Sequence, residues 1–224
     1  MDRLPLAERY AELLAGAGVV RGLIGPREAP RLWDRHLLNC AVLGDLVPHD
    51  ATVCDIGSGA GLPGVVLAIH RPDVRVTLVE PLLRRTTFLE EVVAELGLAN
   101  VEVVRGRADT LHGERRFGVV TSRAVAPLER LLGWSMPLVE PQGALVAMKG
   151  SSVDEEILAA ADVLNQLGCG SPEVVILGEG LLSSTTIAVR VPWADPTRVS
   201  WPLPPTARPR RRPDHTRRKQ RRNA

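Results

Sequence analysis

The string Val53-Cys54-Asp55-Ile56-Gly57-Ser58-Gly59-Ala60-Gly61-Leu62-Pro63-Gly64 constrains the fold more than any other part of the chain. Its apolar start reads as a buried strand. Glycines two apart directly behind a strand let the backbone turn tightly and approach a ligand without side-chain obstruction. Pro63, expected just inside the following helix, has the φ suited to a first helical turn. The string therefore predicts strand, tight loop and helix N-terminus at the carboxyl edge of a sheet, where ligands bind in such folds.

The rest of the chain repeats that texture. Val74–Val79, Val101–Val104, Phe117–Thr121 and Ala144–Met148 read as further buried strands, with helices near Pro63–His70, Leu83–Leu96 and Leu128–Met136 between them. Regular β-α-β alternation predicts an α/β fold, a doubly wound and mostly parallel sheet covered on both faces. After a helix over Val153–Leu167, the runs Glu173–Leu177 and Thr185–Val191 come without another helix, which predicts a C-terminal antiparallel hairpin. Ahead of the first strand, Leu4, Leu6, Tyr10, Leu13, Leu14 and Ala17 fall on one helical face until Gly16, Gly18, Gly22 and Gly25 break it. A second helix is predicted from Ala29 to Leu46 with Leu32, Leu37, Leu38, Val42 and Leu43 inward. The expected organisation is a helical cap over 1–48, a Rossmann-like domain over 49–195, and a tail over 196–224 that is disordered from about Pro202.

Charge and cysteine usage narrow the function. The tail from Thr206 holds nine basic residues and one acid, leaving 19 basic and 25 acidic residues in the body, so the body is near −6 and the tail near +8. The body is therefore not a general polyanion binder. Cys40, Cys54 and Cys169 are odd in number and far apart, which fits neither a disulfide framework nor a zinc site and suits a cytoplasmic protein. The five histidines form no metal-ligand spacing, so no metal is expected. No apolar run approaches the ~20 residues of a membrane helix.

The glycine string admits two nucleoside cofactors. Gly59-Ala60-Gly61-Leu62-Pro63-Gly64 satisfies the dinucleotide fingerprint, and Glu80 comes at about the expected ~20 residues. Against that reading, Asp55 stands before the glycines where a dinucleotide fold has an apolar residue, the chain is too short for a separate substrate domain, and the closing hairpin is foreign to most dehydrogenases. S-adenosylmethionine is the favoured cofactor. Asp55 is placed to fix the loop or bond the ligand. Glu80, ending the second strand, can accept both ribose hydroxyls, and Gly59 belongs to the cradle.

At this point the residues resemble a known family. Asp55 through Gly64 and then Arg71-Pro72, together with Arg35-His36-Leu37-Leu38, Thr121-Ser122-Arg123-Ala124 and Met148-Lys149-Gly150, is similar to the bacterial 16S ribosomal RNA guanine-N7 methyltransferases, RsmG or glucose-inhibited division protein B. The resemblance covers roughly residues 4–191. It implies a class I S-adenosylmethionine methyltransferase whose partner is 16S rRNA, the small ribosomal subunit or an assembly intermediate; separately, a monomer is expected, although the sequence itself leaves oligomeric state open. The resemblance also implies cofactor contacts at Gly57, Leu62, Ala108, Asp109 and Arg123. Asn39 stands where the family string commonly has Asp, and Gly22-Leu23-Ile24-Gly25-Pro26 replaces an Asn-Leu-Thr string.

Guanine N7 already carries a free lone pair, so positioning can supply most of the catalysis without a general base. Arg123 and Lys149 end consecutive predicted strands and should face one crevice, where they could grip RNA phosphate, the guanine oxygen or the cofactor carboxylate. Arg35 and His36 are RNA-facing candidates on the resemblance, although a solitary helical histidine is more often a packing residue or a structural hydrogen bond. Trp33 and Trp134 read as core, and Cys54 as an inert buried thiol. Arg208, Arg210, Arg211, Arg212, Arg217 and Arg218 make the tail a candidate RNA anchor through phosphate neutralisation. Two alternatives remain open: a small-molecule methyltransferase, and a non-catalytic RNA-binding or ribosome-assembly module on the same fold.

Overall fold

The computed structural model describes residues 3–199; the basic tail and its six candidate arginines lie outside the described residues. Seven strands form one sheet: β1 (Thr52–Ile56), β2 (Arg75–Glu80), β3 (Val101–Arg105), β4 (Phe117–Arg123), β5 (Val139–Lys149), β6 (Glu173–Leu177) and β7 (Thr186–Pro192). Their order is β3-β2-β1-β4-β5-β7-β6. β3 through β5 pair in parallel, whereas β7 pairs antiparallel with both β5 and β6. This is the class I S-adenosylmethionine methyltransferase architecture, with the C-terminal hairpin in place. The antiparallel β7 separates it from the dinucleotide fold, whose sheet runs parallel in the order 3-2-1-4-5-6.

Side-chain alternation divides the core. Val53 of β1, Val119 of β4 and Val146 of β5 join the cluster beneath the N-terminal cap, α3 (Gly64–His70) and α4 (Leu83–Glu95). Cys54, Ile56, Val120 and Leu145 join the opposite cluster, under α5 (Leu128–Ser135), α6 (Val153–Ala159) and α7 (Ala161–Leu167). With both faces covered, the central strands are continuous apolar runs.

The cap departs most from expectation. α1 (Leu4–Leu13) passes into a π-turn over Leu14–Gly18, so Gly16 and Gly18 do not break it; the helix stops at Gly22, whose φ is +66°. Tyr10 and Leu14 are fully buried, but Leu4 is exposed. The single helix expected over Ala29–Leu46 is four short pieces: a 3-10 turn (Ala29–Arg31), a π-turn (Trp33–Leu37), the four-residue α2 (Leu38–Ala41) and another 3-10 turn (Val42–Leu46). A π-turn inserts a residue into the helical count and rotates the residues beyond it about the axis. Leu38 consequently faces solvent, and Cys40 takes the inward position. Two smaller corrections concern the later helices. The helix over Val153–Leu167 is interrupted at Ala160, and Pro63 lies just ahead of α3 rather than inside it.

Candidate active site

Parallel pairing aligns the carboxyl ends of the central strands. Ile56 sits opposite Val79, Glu80 opposite Arg105, and Thr121 opposite Asp55. The glycine loop leaves β1 at that edge and is tied to the next strand, because the Gly57 and Ser58 amides donate to the Val79 carbonyl at 2.8 and 3.1 Å. The Gly59 amide donates to Glu80 Oε2 at 3.0 Å, and the Leu82 amide donates to Glu80 Oε1 at 3.0 Å. Glu80 therefore braces the loop while lining the cleft above it.

The glycines divide into two jobs. Gly59, at φ +59°, is open, with only the Gly57 carbonyl within reach of a would-be Cβ. Gly64 faces inward, where a Cβ would stand 2.3 Å from Leu78 Cδ2 and 2.7 Å from Asp55 Oδ2. Asp55 is fully buried beneath the loop, accepts the Gly64 amide at 3.1 Å, and leaves Oδ1 without a partner. Burial pushes its carboxyl up to about 7. Of the two roles expected for Asp55 it performs the loop-fixing one; it does not line the cleft. Tyr10 completes the brace from the cap, donating its hydroxyl to the Ala60 carbonyl at 2.8 Å.

Three cavities adjoin over this edge. The first, about 610 Å³, is lined by Gly57, Ser58, Gly59, Leu62, Glu80, Arg85, His36 and Arg123 among others. An apolar slot of about 180 Å³ continues from it past Ile56, Val79, Ala108, Asp109 and Trp134. The third, about 830 Å³, is lined by polar groups including Arg35, Asn39, Ser122, Arg123, Lys149, Ser151 and Thr186. Arg123, Ala124 and Val125 belong to both the first and the third, forming a shared wall. Ala124 holds φ +54°, a left-handed conformation that a side-chain-bearing residue adopts at a cost of order 1 kcal/mol.

The sequence-derived candidates thus fall into groups. Gly57, Gly59, Leu62 and Glu80 come together in the first cavity, Ala108 and Asp109 in the slot, and Arg35 and Lys149 in the polar cavity. Lys149 is not a cation offered to solvent. Its side chain is 6% exposed, and its ammonium donates to the Ala126 carbonyl at 2.9 Å and to Glu156 Oε2 at 2.7 Å. The same Glu156 oxygen accepts the Leu128 amide at 2.7 Å, so the pair clamps the loop from β4 to α5. Trp134 is half-buried: it packs against the core cluster beneath α5 and also borders the slot, with Arg130 over its ring.

His36 is bound on both ring nitrogens. Nε2 lies 2.9 Å from Glu28 Oε2, and Nδ1 meets Arg123 Nη2. Arg123 Nη1 donates to Cys40 Sγ at 3.5 Å. Glu28, Cys40, Tyr10 and Glu156 contact the candidate site in ways the sequence does not announce. Each works across the fold or across irregular backbone, where no periodic spacing marks it. Away from the cleft, at the amino ends of β1 and β2, His49, Asp50 and Asp73 bring ligand-type atoms within 4.8 Å of one another, but Asp73 is already paired with Arg71 at 2.6 Å.

The chain matches known proteins over most of its length. The family profile described as GidB, rRNA small subunit methyltransferase G, matches residues 3–181. A "Ribosomal RNA small subunit methyltransferase G" from Nocardioides sp. is 73% identical over 217 residues, covering 97% of this chain and 86% of that one. Its counterpart from Streptomyces coelicolor is 58% identical over 191 residues, covering 85% and 80%. Among solved structures, M. jannaschii TYW2 in complex with AdoMet has a TM-score of 0.53 at 14% identity, covering 70% of this chain and 74% of that one, a likeness of fold.

Proposed function

The chain belongs to the rRNA small subunit methyltransferase G family, and from that premise we propose that it transfers a methyl group from S-adenosylmethionine to nitrogen 7 of one guanine in 16S rRNA. The observation that carries this reading is the shared wall Arg123–Val125, with a glycine-lined cavity on one side and a polar cavity on the other. A donor and a large polar acceptor could meet across it.

The residues present suit the cofactor. Gly59 leaves open space over the loop, Glu80 offers carboxylate oxygens on the cavity wall, and the apolar slot has the character of a site for a flat ring. In this reading Gly57, Gly59 and Leu62 hold the cofactor from the loop side, Glu80 receives the ribose, and Ala108 with Asp109 receives the adenine edge. Arg123 stands at the mouth. When bound, S-adenosylmethionine supplies an electrophilic methyl on a sulfonium.

The chain's own contribution is positioning and electrostatics. Among the described residues lining the polar cavity, the acid Glu156 is engaged by Lys149 and by the Leu128 amide. His36, on the cofactor side, is engaged on both nitrogens. A nitrogen that needs no deprotonation suits such a site. Arg35 and Arg123 are the residues proposed to meet RNA here, with Lys149 clamping the β4–α5 loop that follows Arg123. Among the described residues no helix is long and apolar enough to cross a membrane. The proposed setting is the cytoplasm, with a single chain as the acting form and the ribosomal RNA, small subunit or an assembly intermediate as partner.

The deciding experiment supplies tritium-labelled S-adenosylmethionine with undermodified ribosomal RNA, as naked RNA and as small subunits, then identifies the labelled nucleoside. Label in 7-methylguanosine is expected. Label on another base, or transfer only to a free metabolite, would overturn the assignment.

A further inference from the structure

Arg123 ends β4 at the wall between the two cavities, and its guanidinium is gripped from the cap. One nitrogen meets His36 Nδ1 and the other donates to Cys40 Sγ at 3.5 Å. Burial pushes the Cys40 thiol up to about 11, so that contact is with a neutral sulfur. A guanidinium has donors and no acceptor. The ring nitrogen facing it must therefore present a lone pair, and the proton must sit on Nε2. Nε2 lies 2.9 Å from Glu28 Oε2, a carboxylate able to accept that proton's hydrogen bond. The partners on the two sides thus select one neutral tautomer of His36.

The chain of contacts is longer still. Glu28 Oε1 is 3.5 Å from Arg35 Nη1, and Arg35 lines the same polar cavity as Arg123. A carboxylate and an imidazole thus bridge the two guanidinium groups that border that cavity. A merely packed histidine would need neither a defined tautomer nor a cation on its lone pair.

We propose that His36 is a positioning residue of the methyl-transfer site: its Nδ1 lone pair holds the Arg123 guanidinium at the wall between the cofactor and RNA cavities, and Glu28 fixes the tautomer that makes this lone pair available. The proposal rests on the functional reading above, in that Arg123 is taken to face the reacting groups.

The same geometry makes the contact sensitive to acid. Protonating Nδ1 replaces the acceptor with a donor and sets two cations face to face. The charged groups that act on His36 are Glu28, Arg35 and Arg123; Asp55 lies within electrostatic reach of Arg123. Burial and Arg123 together hold the imidazole below its ordinary value, against the opposing pull of Glu28. His36 is therefore neutral at pH 7, and the link to Arg123 is lost as pH falls through that lowered value.

The test compares His36→Leu, His36→Asn and His36→Gln in the full chain. The Asn amide oxygen falls near Nδ1 and the Gln amide near Nε2. His36→Leu is expected to lower kcat for RNA methylation by roughly 10- to 100-fold, the scale of a misplacement of about 1 Å. Asn should recover much of that loss and Gln little. The acid limb of the rate profile should disappear in His36→Asn. A second readout needs no substrate. With 15N-labelled histidine, the His36 ring should show the Nε2–H tautomer at pH 7, and its pKa should rise in Arg123→Leu.

His36→Leu within twofold of wild type, Asn no better than Leu, or a ring titration indifferent to Arg123 would each overturn the proposal. A wild-type protein that labels no ribosomal RNA would instead sink the functional reading. The ring titration separates that failure from a failure of the His36–Arg123 link.

Discussion

Asp55 occupies the space that a side chain on residue 64 would need, with Oδ2 both accepting the Gly64 amide at 3.1 Å and lying 2.7 Å from the position of a Cβ there. Leu78 closes the same space from β2 at 2.3 Å. Gly64→Ala is expected to destabilise the protein by about 1–3 kcal/mol, the usual cost of overpacking a core. That should lower Tm by a few degrees and weaken binding of S-adenosylhomocysteine, because α3 must move away from the loop. Unchanged melting and affinity would mean that the contact relaxes freely.

The same carboxyl makes stability depend on pH in an unusual direction. Its folded value of about 7 lies above the unfolded value of 3.8. The native state then holds a proton that the unfolded chain has released, so stability falls as pH rises from near 3.8 through about 7 and levels off above it. Asp55→Asn keeps a neutral group of the same shape. Melting curves between pH 5 and 8 should show a decline in wild type that is flattened in the variant; parallel curves would refute the buried-carboxyl account.

Glu80 braces the loop and lines the first cavity, and two variants part the brace from the proposed ligand contact. Glu80→Ala removes the acceptors of the Gly59 and Leu82 amides and should weaken S-adenosylhomocysteine at least tenfold by calorimetry, about 1.4 kcal/mol. Glu80→Gln retains one acceptor oxygen, so part of the affinity should return. Equal losses in the two variants would show that the charge, rather than the brace, carries the effect.

Lys149 and Glu156 should behave as a coupled pair. Despite opposing burial, the Lys149 ammonium and the Leu128 amide hold the Glu156 carboxyl below its ordinary value. That contribution is present above the unfolded value of 4.5 and is lost as pH falls through the lowered folded one. Lys149→Met alone is expected to cost about 1–3 kcal/mol in denaturant unfolding, the penalty of leaving a buried hydrogen-bonding partner unpaired. Adding Glu156→Gln should cost much less than a second full penalty, because neighbouring sites are non-additive. Strict additivity would show that the clamp on the β4–α5 loop is energetically idle.

The basic tail, which lies outside the described residues, has a purely electrostatic test. If about five of its cations meet phosphates, truncation after Pro205 should flatten the slope of log K against log salt by roughly 4 without changing which base is methylated. An unchanged slope would remove the tail from the RNA interface.

The strands are legible in the sequence because both sheet faces are covered, which turns Val53–Ile56, Val101–Val104 and Phe117–Thr121 into plain apolar runs. β5 begins earlier than its apolar run suggests, at Val139. Pro141 and Gly143 interrupt the pattern, and the structure accommodates them where the β4–β5 register shifts. The register of the cap is not legible, because a π-turn has no composition signature; Leu38 and Cys40 exchange places as a result. In the site, the glycine loop and Glu80 can be read from spacing along the chain. Lys149 lies in the expected cavity but lacks the expected freedom. A strand end shows where a side chain starts, not that an acid on the next helix will take its ammonium. Glu28 is hidden for a related reason: it reaches His36 across irregular backbone.

The common wall Arg123–Val125 has a thermodynamic consequence. With the cofactor and RNA in the two cavities as proposed, a ligand that shifts this wall from one side reshapes the other, which would link the two occupancies. Linkage is reciprocal: whatever factor the cofactor imposes on RNA affinity, RNA must impose on cofactor affinity. The left-handed Ala124 stands at the centre of that wall, where its conformational cost is a term that either ligand can change. Substitutions at Arg123, Ala124 or Val125 are then the ones expected to change the coupling itself and not just one affinity.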